Sequence, residues 1–277
     1  MTTNVWRVSE VAERPILDAR AVALRPRGSG GVAGALRRRV PARARPYLRY
    51  ALARGKAAFG VDHFPGRGAL DQRVLAHLGG KRGGVFIEAG AYDGVDQSNT
   101  WHLERRLGWH GLLVEPIPEM AALCRRFRRA PVEACALGSF AQEGSVLRLR
   151  FGGLMTTAEG ATPRRLHGGS VTTHAEQGAA AAGRTGYDFE APIVALSTLI
   201  ERHALGPVDL LSLDVEGLEE SVLGGLNLAR HRVDHILIET TNPKLVATIL
   251  GDRYALVARL ANHDYLFRRQ DGGTHDA

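Results

Sequence analysis

A doubly wound, parallel α/β sheet is the fold this sequence predicts, and three observations carry that prediction. From about residue 84 onward, short apolar runs alternate with segments of helical period. Several of those runs end on an acid, at Glu88, Glu115, Asp214 and Glu239, as strands do where they open into the crevice of a parallel sheet. The closing stretch holds two strand-like runs about five residues apart, which adds one antiparallel strand.

Taken in order, residues 25–46 hold Gly28-Ser29-Gly30-Gly31 and the prolines Pro26, Pro41 and Pro46, the composition of an irregular arm. Residues 47–58 read as one short basic helix with Leu48, Tyr50, Ala51 and Leu52 at its apolar positions. Val85-Phe86-Ile87 is the first buried strand and Leu112-Leu113-Val114 the second. A helix follows, with Met120, Leu123, Cys124 and Phe127 at i, i+3, i+4, i+7 spacing. Residues 132–137 are the third strand, 210–213 the fourth and 236–238 the fifth. Between the last two, a helix over 219–228 turns Val222, Leu223 and Leu226 inward. Residues 254–260 and 265–269 form the closing hairpin around Asn262-His263-Asp264. Residues 151–190 break the alternation, being rich in Gly, Ala, Thr and Ser, with Ala179 to Ala182 in a row. A segment this long without a period reads as a functional lid or as partly disordered. The chain therefore divides into an arm at 1–60 and a domain at 61–277 with a pocket-covering insert at about 151–190.

Composition narrows the function. The 277 residues are 44% hydrophobic and 23% charged, ordinary for a soluble packed protein. No apolar run approaches the ~18 residues that span a bilayer, and the opening residues carry Glu10 and Glu13 in place of a secretory apolar core. Only Cys124 and Cys135 occur, which excludes a disulfide scaffold and a four-cysteine zinc site; the expected compartment is a reducing cytoplasm. A formal charge of +7 and a pI near 9.9 suggest nucleic acid at first sight. Yet ten basic residues and no acid fall between Arg25 and Lys56, which leaves residues 57–277 at −3. The basicity belongs to the arm, which is expected to touch an anionic surface, and no nucleic-acid partner is expected for the domain.

The densest local signal is Val85-Phe86-Ile87-Glu88-Ala89-Gly90-Ala91-Tyr92-Asp93-Gly94. Glycines at 90 and 94 let the backbone approach a ligand at the carboxyl end of the first strand. The spacing is not the G-x-G-x-x-G of a pyrophosphate site, and Glu88 would repel a phosphate while favouring an ammonium group. Glu115 ends the second strand, where a carboxylate can accept both hydroxyls of a ribose. The fourth strand ends Asp214-Val215-Glu216-Gly217, with two acids facing the same crevice; acids there also suit the N-terminus of the following helix. Glu239, followed by Thr240, Thr241 and Asn242, adds an acid at the same edge.

These segments resemble one family. FIEAGAYDGVDQSNTWHL (residues 86–103) looks like motif I of the FkbM-type S-adenosylmethionine-dependent methyltransferases. GWHGLLVEPIPE (108–119), DLLSLDVEGLEESVLGGL (209–226), ILIE (236–239) and the terminal YALVARLANHDYLF (254–267) are similar in the same order. The resemblance covers residues 84–267 and leaves out the arm and the detail of the insert. It implies a class I methyltransferase sheet of seven strands with the last antiparallel, S-adenosylmethionine as cofactor, and O-methylation of a sugar, glycan or natural-product hydroxyl. Carried over by position, it implies that Glu88, Gly90 and Gly94 hold the methionine part, with Tyr92 and Asp93 in the same loop. Ser98 and Asn99 would line the cofactor or acceptor pocket, Glu115 would bind the ribose, and Ala136 and Leu137 would lie near adenine. No acid stands there to read the adenine amino group.

Methyl transfer is an in-line displacement, so alignment supplies most of the catalysis. A sugar hydroxyl must also lose its proton, to which a positioned base contributes roughly 10²–10⁴-fold. Asp214 and Glu216 are assigned that task, with Glu239 at the same edge. A magnesium-dependent variant would use Asp214, Glu239 and Asn242 as oxygen ligands; it is not favoured, because strand-end acids serve equally as hydrogen-bond acceptors. His102, His110, His167, His174 and His263 are further candidate bases, while Trp101 and Trp109 read as core. Two rivals stay open. A nicotinamide-dependent sugar oxidoreductase lacks its glycine pattern and a Tyr-x-x-x-Lys pair here, and a non-catalytic module docking through the arm would need no crevice at all. The acceptor is expected to be a small molecule or glycan, and the oligomeric state is left open.

Overall fold

In a computed structural model, the described residues are 40–158 and 171–270. Strand β1 (Val85–Ala89) is central, parallel to β2 (His110–Val114) on one side and to β8 (Val208–Leu213) on the other. Beyond β2 lies β3 (Val132–Glu133), and beyond β8 lies β9 (Val233–Glu239), both parallel to their neighbours. The hairpin of β10 (Tyr254–Arg259) and β11 (Asp264–Arg269) closes the far edge, with β11 antiparallel to β9 and β10. The order is therefore β10-β11-β9-β8-β1-β2-β3, seven strands with the last in sequence reversed, as expected.

Both faces of this sheet are covered, which is why its strands read as continuous apolar runs. Ile87, Leu112, Leu211, Leu213, Ile236 and Ile238 pack into one core, and the alternate residues Phe86, Leu113, Leu210, Leu237 and Leu266 pack into the other. Trp101 and Trp109 are both core residues, at 1% and 2% exposure.

The helices are α1 (Arg45–Ala58), α2 (Leu70–His77), α3 (Trp101–Leu107), α4 (Pro118–Phe127), α5 (Val171–Ala182), α6 (Leu196–Arg202), α7 (Glu219–Leu223) and α8 (Pro243–Leu250). The α1 helix matches the expected basic helix, but it is not free of the domain. Ala53 is fully buried, and Tyr50 stacks on Phe127 at 4.3 Å. Residues 1–39 of the expected arm lie outside the described residues.

Three expectations are corrected. The single strand at 132–137 is two: β3 pairs with β2, while β4 (Ala136–Gly138) pairs with β7 (Asp188–Ala195) in a second sheet. Side chains alternate along this stretch: Cys135 and Leu137 pack in the main core, and Ala136 between them packs under the second sheet. That sheet, of order β4-β7-β5-β6, includes β5 (Val146–Arg150) and β6 (Thr157–Ala158), and it takes in part of the aperiodic insert. Of that insert, residues 159–170 lie outside the described residues, and α5 lies on the turn at Gly153–Met155. Its small residues allow the approach: a Cβ on Gly178 would lie 2.1 Å from the Gly152 carbonyl oxygen. The helix expected over 219–228 stops at Leu223, because the chain next passes so close to β4 that a Cβ on Gly225 would meet the Gly138 oxygen at 2.1 Å.

Candidate functional site

The loop after β1 is built around two buried carboxylates. Glu88 Oε1 accepts the Asn99 backbone N–H at 2.7 Å, and Oε2 accepts from Ser98 Oγ at 2.9 Å and Thr100 Oγ1 at 2.6 Å. Arg128, with no side-chain exposure, donates to Glu88 at 3.2 Å and to Glu104 at 2.9 Å. Burial alone would lower its pKa, but Glu104 and Glu88 outweigh that and raise it, so the cation is held. Asp93, also fully buried, accepts the N–H groups of Val95 and Asp96 and pairs with Arg49 of α1 at 2.5 Å. Arg49 reaches Asp96 as well, at 3.2 Å.

Gly90 sets the closest approach. Its φ is 83°, and a Cβ there would stand 1.9 Å from the Asp214 carbonyl oxygen. Only glycine lets the ends of β1 and β8 meet this tightly. Gly94, with φ 79°, is crowded in turn by Arg128 and Cys124.

At the carboxyl edge of β1, β2 and β8 lies an open cavity. It is lined by Gly90, Tyr92 and Glu115, by Asp214 and Glu216, and by Cys135, Ala136 and Leu137. Leu147 and Leu149 of β5, with Gly153, Leu154 and Thr156 of the insert, cover it. Glu115 is 3% exposed, and its carboxyl accepts the N–H of Tyr92 at 2.7 Å and of Ile117 at 2.9 Å. Burial pushes its pKa up to about 8 against the downward pull of those donors. Burial also pushes the Cys135 thiol up to about 12, making it a neutral wall rather than a nucleophile.

Beyond β8 the backbone is held open by Glu219. Its carboxylate accepts the N–H groups of Val215 and Gly217, both at 3.1 Å, around Glu216 at φ 52°. Glu216 Oε2 stands 3.9 Å from Nε2 of His174, a largely buried residue of α5.

The expected residues fall into two groups. Gly90, Tyr92, Glu115, Ala136, Leu137, Asp214 and Glu216 share the cavity. Glu88, Asp93, Gly94, Ser98, Asn99 and Glu239 are not among its lining residues. Glu88, assigned to the methionine part, instead gives both carboxylate oxygens to the loop, because Ser98, Asn99, Thr100 and Arg128 surround it. Asn99 donates to Ser212 Oγ at 3.1 Å. Asn242, a ligand only in the disfavoured magnesium variant, uses its Oδ1 to cap α8 by accepting from Leu245 N–H at 3.2 Å. Among the described residues, no group of three His, Cys, Asp or Glu is placed to hold a metal ion. Sequence reasoning missed Arg49, Arg128, Glu219, Leu147 and Leu149. Of these, only the alternation Val146-Leu147-Arg148-Leu149-Arg150 carries a legible signal, that of a half-buried strand.

A buried acid at the end of the second strand, a glycine cradle at the end of the first and an apolar slot beside them suit a nucleoside-bearing cofactor. The seven-stranded sheet with its last strand antiparallel is the kind of scaffold a methyltransferase uses. A family model described as the methyltransferase FkbM domain matches residues 88–266, well over half of the chain. The chain belongs to that family and is an S-adenosylmethionine-dependent methyltransferase. Among solved structures, the chain is similar to a TehB-like SAM-dependent methyltransferase from Corynebacterium glutamicum ATCC 13032 Kitasato. That match has 12% identity, covers 82% of this chain and 100% of the other, and has a TM-score of 0.36, too low to carry weight. No curated protein matches significantly.

Proposed function

We propose that this enzyme methylates a hydroxyl group of a sugar, glycan or glycosylated natural product. The observation that carries the reading is one cavity lined by buried Glu115 and by the acid pair Asp214 and Glu216. S-adenosylmethionine, when bound, supplies an electrophilic methyl on a sulfonium centre. In this reading Glu115 holds the ribose hydroxyls, the Gly90 backbone lies against the methionine part, and Ala136, Leu137, Leu147 and Leu149 flank the adenine. A cavity lined by carboxylates disfavours phosphate and suits a cationic cofactor.

Asp214 is solvent-exposed, as a group that meets an incoming acceptor must be. Asp214 and Glu216 accept hydrogen bonds from the acceptor hydroxyl, orient its oxygen and take its proton. His174 Nε2 lies 3.9 Å from Glu216 Oε2, beside that carboxylate. Asp214→Asn and Glu216→Gln are therefore expected to lower turnover on the order of 10²-fold while cofactor affinity changes less than about twofold. Steady-state rates on a panel of glycosylated and polyhydroxylated acceptors, beside calorimetric cofactor titration, check this. Unchanged turnover in both variants overturns the assignment. Because Asn242 is committed to its helix cap, chelation with EDTA is expected to leave the rate unchanged. A rate lost on chelation and restored by magnesium contradicts that expectation.

A further inference from the structure

We propose that the outer face of α1 is a docking surface for an anionic phospholipid bilayer, independently of which acceptor the enzyme uses. The inner face of the helix is fixed. Tyr50 stacks on Phe127 and meets Trp101 edge-on at 6.0 Å, Ala53 is fully buried, and Arg49 pairs with Asp93 and Asp96. The helix therefore cannot turn its remaining apolar residues inward. Leu48, Leu52 and Phe59 stand on one line of the helix surface at i, i+4 and i+11, at 40%, 60% and 87% exposure. Val61, just beyond, is 52% exposed. An apolar stripe of this kind on a soluble domain marks an interaction surface.

Charge decides what covers it. Arg45 and Lys56 flank the stripe on one side, the exposed Arg54 lies further round the helix over the Tyr50 ring at 5.7 Å, and Arg126 extends the basic border over the Tyr47 ring at 5.6 Å. No acid occurs between Arg25 and Lys56 in the sequence, so the helix itself contributes only positive charge to this face. A second copy of the chain, paired about a two-fold axis, would set cation against cation. A nucleic acid would answer the charge but would leave Leu52 and Phe59 in water. A bilayer with anionic headgroups satisfies both: the apolar side chains enter the headgroup boundary while the cations meet phosphates. Arg49 ties the docking helix to Asp93, next to Tyr92 of the cavity lining.

The test is co-sedimentation of the full chain with vesicles of phosphatidylcholine and phosphatidylglycerol, beside vesicles of phosphatidylcholine alone. Binding is expected to the anionic vesicles and to fall steeply with salt. The double substitution Leu52→Glu, Phe59→Glu is expected to lower partition by at least about tenfold. Neutralising Arg54→Gln and Lys56→Gln should cost about fivefold each. An unchanged thermal melt and cofactor titration show that the variants fold; should the double substitution unfold, the two neutralised variants carry the test. Absence of binding, equal binding to both vesicle types, or partition unaffected by these substitutions overturns the proposal. So does a concentration-dependent dimer abolished by Leu52→Glu, Phe59→Glu without vesicle binding. Tight binding of duplex DNA that displaces the vesicles and survives that substitution overturns it as well.

Discussion

Gly90 shows how one residue fixes the site. Its backbone is left-handed and its missing Cβ leaves room for the Asp214 carbonyl, so Gly90→Ala introduces both a backbone penalty and a clash at 1.9 Å. The backbone alone costs about 1–3 kcal/mol, and the clash adds to it. Urea denaturation should show at least that loss, together with weakened cofactor binding. Asp71 is a second such residue. It is 2% exposed and accepts from Gln72 N–H at 3.0 Å, and burial lifts its carboxyl from the ordinary 3.8 to about 7. A carboxyl whose folded pKa is raised contributes stability that is complete below the unfolded value and is lost as pH rises through the folded one. The melting temperature of Asp71→Asn should therefore gain on the parent chain between pH 4 and pH 7 and hold that gain above. A constant difference across that range contradicts the burial argument.

Among the elements, α1 and the end of α4 do work that the sequence hides. Arg128, just past α4, is the buried partner of Glu88 and Glu104, and its replacement by Met leaves both carboxylates uncompensated. The expected cost is about 3–5 kcal/mol by denaturant titration. Arg49 in α1 braces the cofactor loop through Asp93, and Arg49→Ala should weaken cofactor binding by about tenfold, the scale of a lost bond to a buried carboxylate. Neither role is legible beforehand, because arginines in basic helices read as solvated and their partners lie 40 and 44 residues away. The central strands were legible because burial on both faces makes them uninterrupted apolar runs. The split of residues 132–138 was not, since one apolar run contains no mark of which sheet each half joins. The early end of α7 was not legible for a related reason: Val222, Leu223 and Leu226 keep helical spacing, but the close pass of Gly225 over Gly138 ends the helix.

At the scale of the whole molecule, charge and chemistry occupy different parts of the chain. The basic run from Arg25 to Lys56 ends in a helix that packs on the domain and exposes its other face. The cavity belongs to an acidic remainder and is walled by Glu115, Asp214 and Glu216. Among the described residues, no helix is long and apolar enough to cross a membrane. The positions of Glu115, Asp214 and Glu216 at strand ends were legible from the sequence, because a parallel sheet brings its carboxyl ends to one edge. The wall supplied by β5 and the insert was not, because it depends on a second sheet that no periodic run announced. The central claim is that this edge holds S-adenosylmethionine through Glu115, and calorimetric titration of the full chain tests it most directly. One cofactor is expected per chain, with affinity reduced roughly 10–100-fold in Glu115→Ala, the scale of two hydrogen bonds lost to the ribose hydroxyls. No binding by the parent chain, or equal affinity in the variant, would contradict the account.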